Sequence, residues 1–517
     1  ICPSETRSMP VSEEITIMAQ WILGAALLLG IVGDALFQGA GGAGLNWLFF
    51  AVAAAGAATL LARSGAVKTA PGGRLLMGLA LAFSALMALR DSEALHALCL
   101  LAIVVATAGA VSSQEGWRAF KTGFLEYAKS VAKLAVAGFI GPARFPREAI
   151  VPAEGAEKRW NAAPGVGRGL LIVSPLFFIF LCLLMAADPA YQYSVRHLFD
   201  WDISTLALRL LIVAVIAWCA AGILHRALQS AAAPVESPVH APLQALGLPE
   251  VVTILAAIDL LFLSFVAVQA RYAFGGPALF KATTGLTFAE YARGGFFELL
   301  AVAAIVLPVL LFLHWSMDRA TPRGESPFRW LAAVQVALLF VMLASAFRRM
   351  GLYEDAYGLT ELRLYVMATI VWLAVVFAWF GLTVLRGRRE LFAGGAVAAA
   401  AIGIAILEGL NPDALIARAN LAHAQSAHQF DGCYASSLGA DAVPPLVAAL
   451  PALPPADAAI VASQLLKHWT PPTHIDWRSW TVGRAQAWNA VESNKPQMTA
   501  LAMAAPADAC SAKDYED

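Results

Sequence analysis

Arginine, tyrosine and carboxylate side chains crowd three short stretches of an otherwise apolar chain: QARYAFGG at 269–276, FAEYARGGFFEL at 288–299 and RRMGLYEDAYGLTELRLY at 348–365. Arg271, Arg293, Arg348, Arg349 and Arg363 stand there beside Glu290, Glu298, Glu354, Asp355 and Glu361, with Tyr272, Tyr291, Tyr353, Tyr357 and Tyr365 between them. A guanidinium grips phosphate or carboxylate through parallel N–H donors, and tyrosine sits well at the headgroup level of a bilayer. Two readings follow. One is an aromatic belt with interfacial ion pairs. The other is a polar cleft for an anionic lipid headgroup, a glycan or a peptide, in which all of these residues except Glu354, Asp355 and Glu361 are candidate ligand-binding groups.

A second feature is the isolated Asp259, in the middle of ILAAIDLLFLSF, with Arg209 about two turns into the preceding apolar stretch. A carboxylate in hydrocarbon is tolerated only when it is paired, watered or functional, so the two residues form either a structural ion pair or part of a proton or ion relay. Six cysteines contain no CxxC pair and nine histidines no HExxH, so the sequence offers no zinc, haem or other cofactor motif. His423 and His428 are five apart and face differently on a helix, which argues against a metal there. No Ser-His-Asp or Cys-His arrangement can be assigned from spacing, and the carboxylates are too many to select an acid and base pair.

The elements that carry these residues are set by the bilayer. The chain is 59% hydrophobic and only 14% charged, with mean hydropathy +0.68, far from an ordinary water-soluble domain. Helices satisfy their own backbone in hydrocarbon and need roughly 20 apolar residues to cross it. About eleven stretches qualify, near 17–38, 46–62, 74–90, 94–112, 169–187, 203–228, 250–270, 294–317, 328–349, 362–385 and 391–408. The expected fold is an all-α polytopic helix bundle with a small helical C-terminal domain. Its parts are a four-helix membrane region (1–112), a basic loop (113–168), a seven-helix membrane core (169–410) and the C-terminal domain (411–517). Within the basic loop, Trp117, Phe120, Phe124, Val131 and Leu134 fall at helical spacing among lysines and arginines, the pattern of a helix lying on a membrane face.

Lysine and arginine set the orientation, because short basic loops resist translocation. Arg63, Lys68 and Arg74, nine basic residues between Arg118 and Arg168, Arg319 and Arg323, and Arg386, Arg388 and Arg389 all fall inside if the N-terminus is cytoplasmic. An odd crossing number then puts the C-terminal domain outside. There Cys433 and Cys510 meet an oxidising compartment and are expected to pair. Asn411 before Pro412 reads as a helix N-cap, and helical runs are expected at 413–425 and 456–468. Asp34, Glu298 and Glu408 lie near span ends, where snorkelling to the interface is expected.

The three junctions, with NPDALIARAN at 411–420 and YASSLGADAVPPL at 434–446, resemble a bacterial polytopic membrane family, domain of unknown function 4173, related to 4153. The resemblance covers roughly 169–450 and is most specific at EYARGGFFEL and YGLTELRLY. It implies a multi-pass protein of the bacterial inner membrane and carries no activity. The partners expected are membrane lipids and an anionic lipid or glycan ligand. A net charge of −1 gives no indication of nucleic acid, and no feature points to a protein partner. Binding or transport of an amphipathic anionic ligand is favoured, since arginine and tyrosine suffice for recognition. The alternatives are a membrane-embedded transferase or hydrolase acting on an envelope lipid or glycan, and a sensor or scaffold.

Overall fold

The structure is a computed structural model that describes residues 11–64, 71–113, 124–141, 203–229, 248–284, 296–316, 325–427, 430–506 and 510. Every regular element among them is helical. The membrane part comprises α1 (Val11–Phe37), α2 (Leu45–Ser64), α3 (Pro71–Leu86), α4 (Glu93–Ser112), α5 (Phe124–Ile140), α6 (Ile203–Gln229), α7 (Leu248–Thr284), α8 (Phe296–Ser316), α9 (Glu325–Tyr357), α10 (Glu361–Thr383) and α11 (Phe392–Leu410). Among the described residues, α1, α2, α4 and α6 to α11 are nine helices long and apolar enough to span a membrane, and the apolar α3 is shorter at 16 residues. The chain is thus an all-α polytopic membrane protein. The expected span at 169–187 lies outside the described residues.

The helices gather around separate apolar cores. α1 packs most closely on α6, and the reason is local: a Cβ on Gly30 would come 2.5 Å from the Val213 carbonyl oxygen, so only glycine lets the two backbones approach. Ile22, Ala26, Leu29 and Leu61 of α1 and α2 share a core with Ala221 and Leu224 of α6. A second core joins α7 to α10, with Leu255, Leu310, Leu339, Phe377 and Phe380 almost fully buried. Sequence had grouped α6 with the later helices, whereas its main neighbours are α1 and α5. The predicted surface helix begins at Phe124 and runs to Ile140, and residues 117–123 lie outside the described residues. It buries Tyr127, Ser130 and Ala137, one face at helical spacing, and packs on α4 and α6.

After Leu410 the chain forms a compact helical unit: α12 (Pro412–Ala427), α13 (Gly432–Ser437), α14 (Val443–Ala449), α15 (Pro455–Trp469) and α16 (Val482–Ala502). Ile416, Leu446, Val461, Leu465, Val491 and Met498 fill its core, and burial of each large apolar side chain contributes about 1.5–3 kcal/mol. Leu359 and Leu364, from the junction of α9 and α10, belong to this same core. The unit is therefore continuous with the membrane bundle. Cys433 on α13 is disulfide-bonded to Cys510, with Cα atoms 5.4 Å apart, which fastens the end of the described chain to the unit.

Candidate functional site

Helix ends leave backbone donors and acceptors without intrahelical partners, and the C-terminal unit meets the membrane bundle by supplying them. Arg478 Nη1 donates to the carbonyls of Ala35 and Gln38 at the end of α1, while the Trp480 carbonyl accepts from Leu45 N at the start of α2. Val482 N and Gly483 N donate to Ala88 O and Leu89 O after α3. The Asn420 side chain brackets Leu359, accepting from its N–H at 2.7 Å and donating to its carbonyl at 2.9 Å. Tyr434 OH accepts from Glu361 N at the start of α10. All of these helix ends therefore lie at one end of the bundle. The Arg63 and Arg74 ends of α2 and α3, and the Arg386–Arg389 turn after α10, lie at the other, about 30 Å of helix away.

A cluster of carboxylates sits at the centre of this joint. Asp441, 3% exposed, accepts from Arg90 Nη1 at 2.9 Å, from Asp91 N at 3.1 Å and from Asn411 Nδ2 at 3.0 Å. Asp91 in turn is held by Arg484 through two bonds, Nε at 2.9 Å and Nη2 at 2.8 Å. Arg90 Nε reaches the Glu408 carbonyl, and the Cys99 thiol donates to Glu408 Oε1 at 3.4 Å. Glu408 is only 2% exposed, so it does not snorkel as expected: the C-terminal unit roofs its end of α11. Asn411 adopts the left-handed conformation (φ 55°), closes α11 through its N–H and caps α12 through its side chain to Ala414 N. Asp413 is 1% exposed, and among the described residues neither of its oxygens has a hydrogen-bond donor. Burial and the neighbouring Glu361, Asp441 and Asp91 carboxylates push its carboxyl up to about 8. Sequence reasoning missed this joint because its partners are hundreds of positions apart. The charged residues of an alanine-rich tail, Asp441, Arg478 and Arg484, were the only signal.

Of the predicted ligand residues, those on the α9–α10 junction come together. The Arg363 guanidinium lies 4.0 Å over the Tyr353 ring and donates to the carbonyls of Tyr357 and Gly358, and Tyr353 packs edge-on against Tyr357 with centroids 5.0 Å apart. Gly358 (φ 75°) makes the turn possible. Arg363 thus helps close the turn through its Nη1. Tyr365 OH faces Ser92 Oγ at 3.4 Å, inside the joint. Arg349 is buried, whereas Arg348, Tyr357 and Glu298 are exposed. Arg271 and Tyr272 lie on the backbone of α7 with side chains outside the described residues, and Glu290, Tyr291 and Arg293 lie outside them altogether.

The structure does not bring Asp259 and Arg209 together. Arg209 projects from the exposed face of α6, while Asp259 is 7% exposed on α7, and among the described residues neither of its oxygens has a hydrogen-bonding partner. The reason is the helix arrangement: α6 packs on α1 and α5, and α7 packs on α9. Among the described residues no group of three or more His, Cys, Asp or Glu side chains could hold a metal ion.

A family profile described as a domain of unknown function (DUF4153) matches residues 77–449, more than half of the chain. The matching family is the relative of domain of unknown function 4173, the family the sequence resembles, and 4173 itself is not matched. The match begins earlier than the expected residue 169, within α3, taking in α4, α5 and the carboxylates of the joint but not Arg478 or Arg484, and ends within a residue of the expected boundary. No curated protein and no solved structure matches the chain.

Proposed function

This chain belongs to the DUF4153 family, and on that premise we propose that it is a bacterial inner-membrane protein that binds, and moves between membrane and exterior, an amphipathic anionic molecule. The observation that carries this reading is the exposure of both Arg348 and Tyr357 on the last turns of α9, at the end of the bundle where the C-terminal unit sits. A cation and an aromatic ring at the rim of a membrane helix suit an anionic headgroup attached to an apolar tail. Two further features support movement rather than static binding. The described membrane helices form separate cores, around α1, α2 and α6 and around α7 to α10, and such bundles can rock against one another. Asp259 is a buried carboxyl without a hydrogen-bonding partner among the described residues, which supports reading it as the group that couples a proton to that motion.

On this reading the N-terminus is cytoplasmic and the C-terminal unit exterior. Supporting it are the bonded Cys433 and Cys510 in that unit and the arginines at the opposite helix ends. The test is mass spectrometry of lipids and glycolipids that copurify with the protein extracted in a mild detergent. An anionic amphiphile enriched over bulk membrane, and depleted in Arg348→Ala, is expected. Identical lipid profiles for the two proteins refute the assignment. A ligand that returns chemically altered after incubation indicates an enzyme instead.

A further inference from the structure

Asp413 presents a problem in hydrogen bonding. It sits in the first turn of α12, 1% exposed, and among the described residues no N–H or O–H reaches either of its oxygens. The start of α10 is held against the C-terminal unit by Tyr434 and Asn420, and the carboxyl of Glu361 there acts on Asp413 more strongly than any other neighbouring charge. Two carboxylates can bond to each other only if one carries a proton, and like charges at bonding distance cannot both ionise. Nearby cations are committed elsewhere: Arg90 to Asp441 and to the Glu408 carbonyl, Arg484 to Asp91 and to the Ser479 carbonyl. Arg363 closes the α9–α10 turn. The remaining groups around the pair, Asp91, Asp441, Glu408, Tyr365 and Tyr434, are acidic or neutral. On the side of the C-terminal unit the packing is close, since a Cβ on Gly439 would overlap the Asp413 carboxyl and come 2.6 Å from Asp91 O.

We propose that the buried Asp413 and the solvent-facing Glu361 form a carboxylic acid–carboxylate pair that binds one proton, and that this proton fastens the C-terminal unit to the ends of the membrane helices. Glu361 is exposed, so it is the route by which the proton exchanges with solvent. Removing the proton leaves two adjacent negative charges, one of them buried. The strain is relieved by lifting the 438–441 segment and the start of α16 off the turn between α3 and α4, which exposes Asp413 to water. The pair then responds to pH on whichever side of the membrane the unit occupies, and it does so whether or not the ligand reading above is correct.

The sign follows from linkage. Asp413 in the joint holds its proton up to about pH 8, whereas a solvated aspartate releases it near 3.8. Docking is therefore strongest below the lower value, weakens as pH rises by up to about tenfold per unit, and weakens no further above the higher one.

The test uses the full-length protein in detergent or lipid nanodiscs, with protease cleavage of the C-terminal unit and hydrogen exchange at Val482 and Gly483 followed between pH 5 and pH 9. Protection that falls across that range is expected for the native protein. Asp413→Asn, which donates its own amide N–H to Glu361, is expected to hold protection constant. Glu361→Gln should also flatten the profile, and it serves as the second variant if Asp413→Asn does not fold. Infrared spectra at neutral pH should contain a protonated carboxylic acid band that Asp413→Asn removes. A flat profile in the native protein, or an unchanged band in Asp413→Asn, overturns the proposal.

Discussion

Asp91 and Arg484, separated by 393 positions in the chain, meet in a two-pronged ion pair with Nε–Oδ2 at 2.9 Å and Nη2–Oδ1 at 2.8 Å. Asp91 belongs to the turn between two membrane helices and Arg484 to the first turn of the last helix, so the pair ties the beginning of the protein to its end. Both side chains are mostly sheltered, at 11% and 19% exposure, which distinguishes the pair from an ordinary surface salt bridge.

Arg484→Ala should therefore weaken the joint by about 2–3 kcal/mol, the scale of hydrogen bonds to a charged partner. Arg484→Lys should recover only part of this, because an ammonium cannot match both carboxylate oxygens in one plane. Protease sensitivity of the C-terminal unit reads the difference. Equal resistance in all three proteins would show that the pair is incidental.

The bond between Cys433 and Cys510 closes a separation of 77 residues. Chain-entropy reasoning puts its contribution at about 4 kcal/mol. Cys433→Ser with Cys510→Ser should lower the unfolding midpoint of the C-terminal unit and leave the membrane helices folded, as monitored by helical circular dichroism. Reductant should lower the midpoint of the native protein equally. A midpoint insensitive to both treatments would contradict the assignment.

Gly483 packs where a Cβ would come 2.5 Å from Asp441 Oδ2, and Gly439 packs against Asp413 and the Asp91 carbonyl. Alanine at either site should cost about 1–3 kcal/mol through overpacking. Gly403 in α11 has open space around it, and Gly403→Ala should be neutral or stabilising, since alanine favours a helix by about 1 kcal/mol over glycine. Thermal scans of the three variants side by side provide the comparison.

Asp259→Asn addresses the membrane interior. With no hydrogen-bonding partner for Asp259 among the described residues, the neutral amide should be no costlier to bury than the acid, and the folded yield should match the native protein. Any proton-linked movement of ligand should be lost. A sharp fall in folded protein would instead reveal a structural charge partner.

Hydrophobicity and length were enough to read the spans, because a helix in hydrocarbon must carry its whole apolar surface in local sequence. Ten of the eleven expected stretches appear as helices, most within a few residues, although α7 continues past 270 to Thr284 and α9 past 349 to Tyr357; the remaining one, at 169–187, lies outside the described residues. Asn411 with Pro412 announced the start of α12 for a similar reason, since capping is a property of adjacent residues.

Partnership was not legible. Asp259 and Arg209 are close in sequence terms, yet α6 turns to α1 through the glycine seam at Gly30 and leaves Asp259 to α9. That Arg363 closes a turn and stacks over Tyr353 could not be read from its place in the sequence. Glu408 and Asp413 looked like ordinary residues near helix ends, and the C-terminal unit buries both. By itself the sequence determined that the chain is an all-helical membrane protein and where its helices run, since each helix answers to the solvent around it. Which ionisable groups meet, and which are sealed from water, depended on contacts between residues up to some four hundred positions apart, and those only the tertiary structure decided.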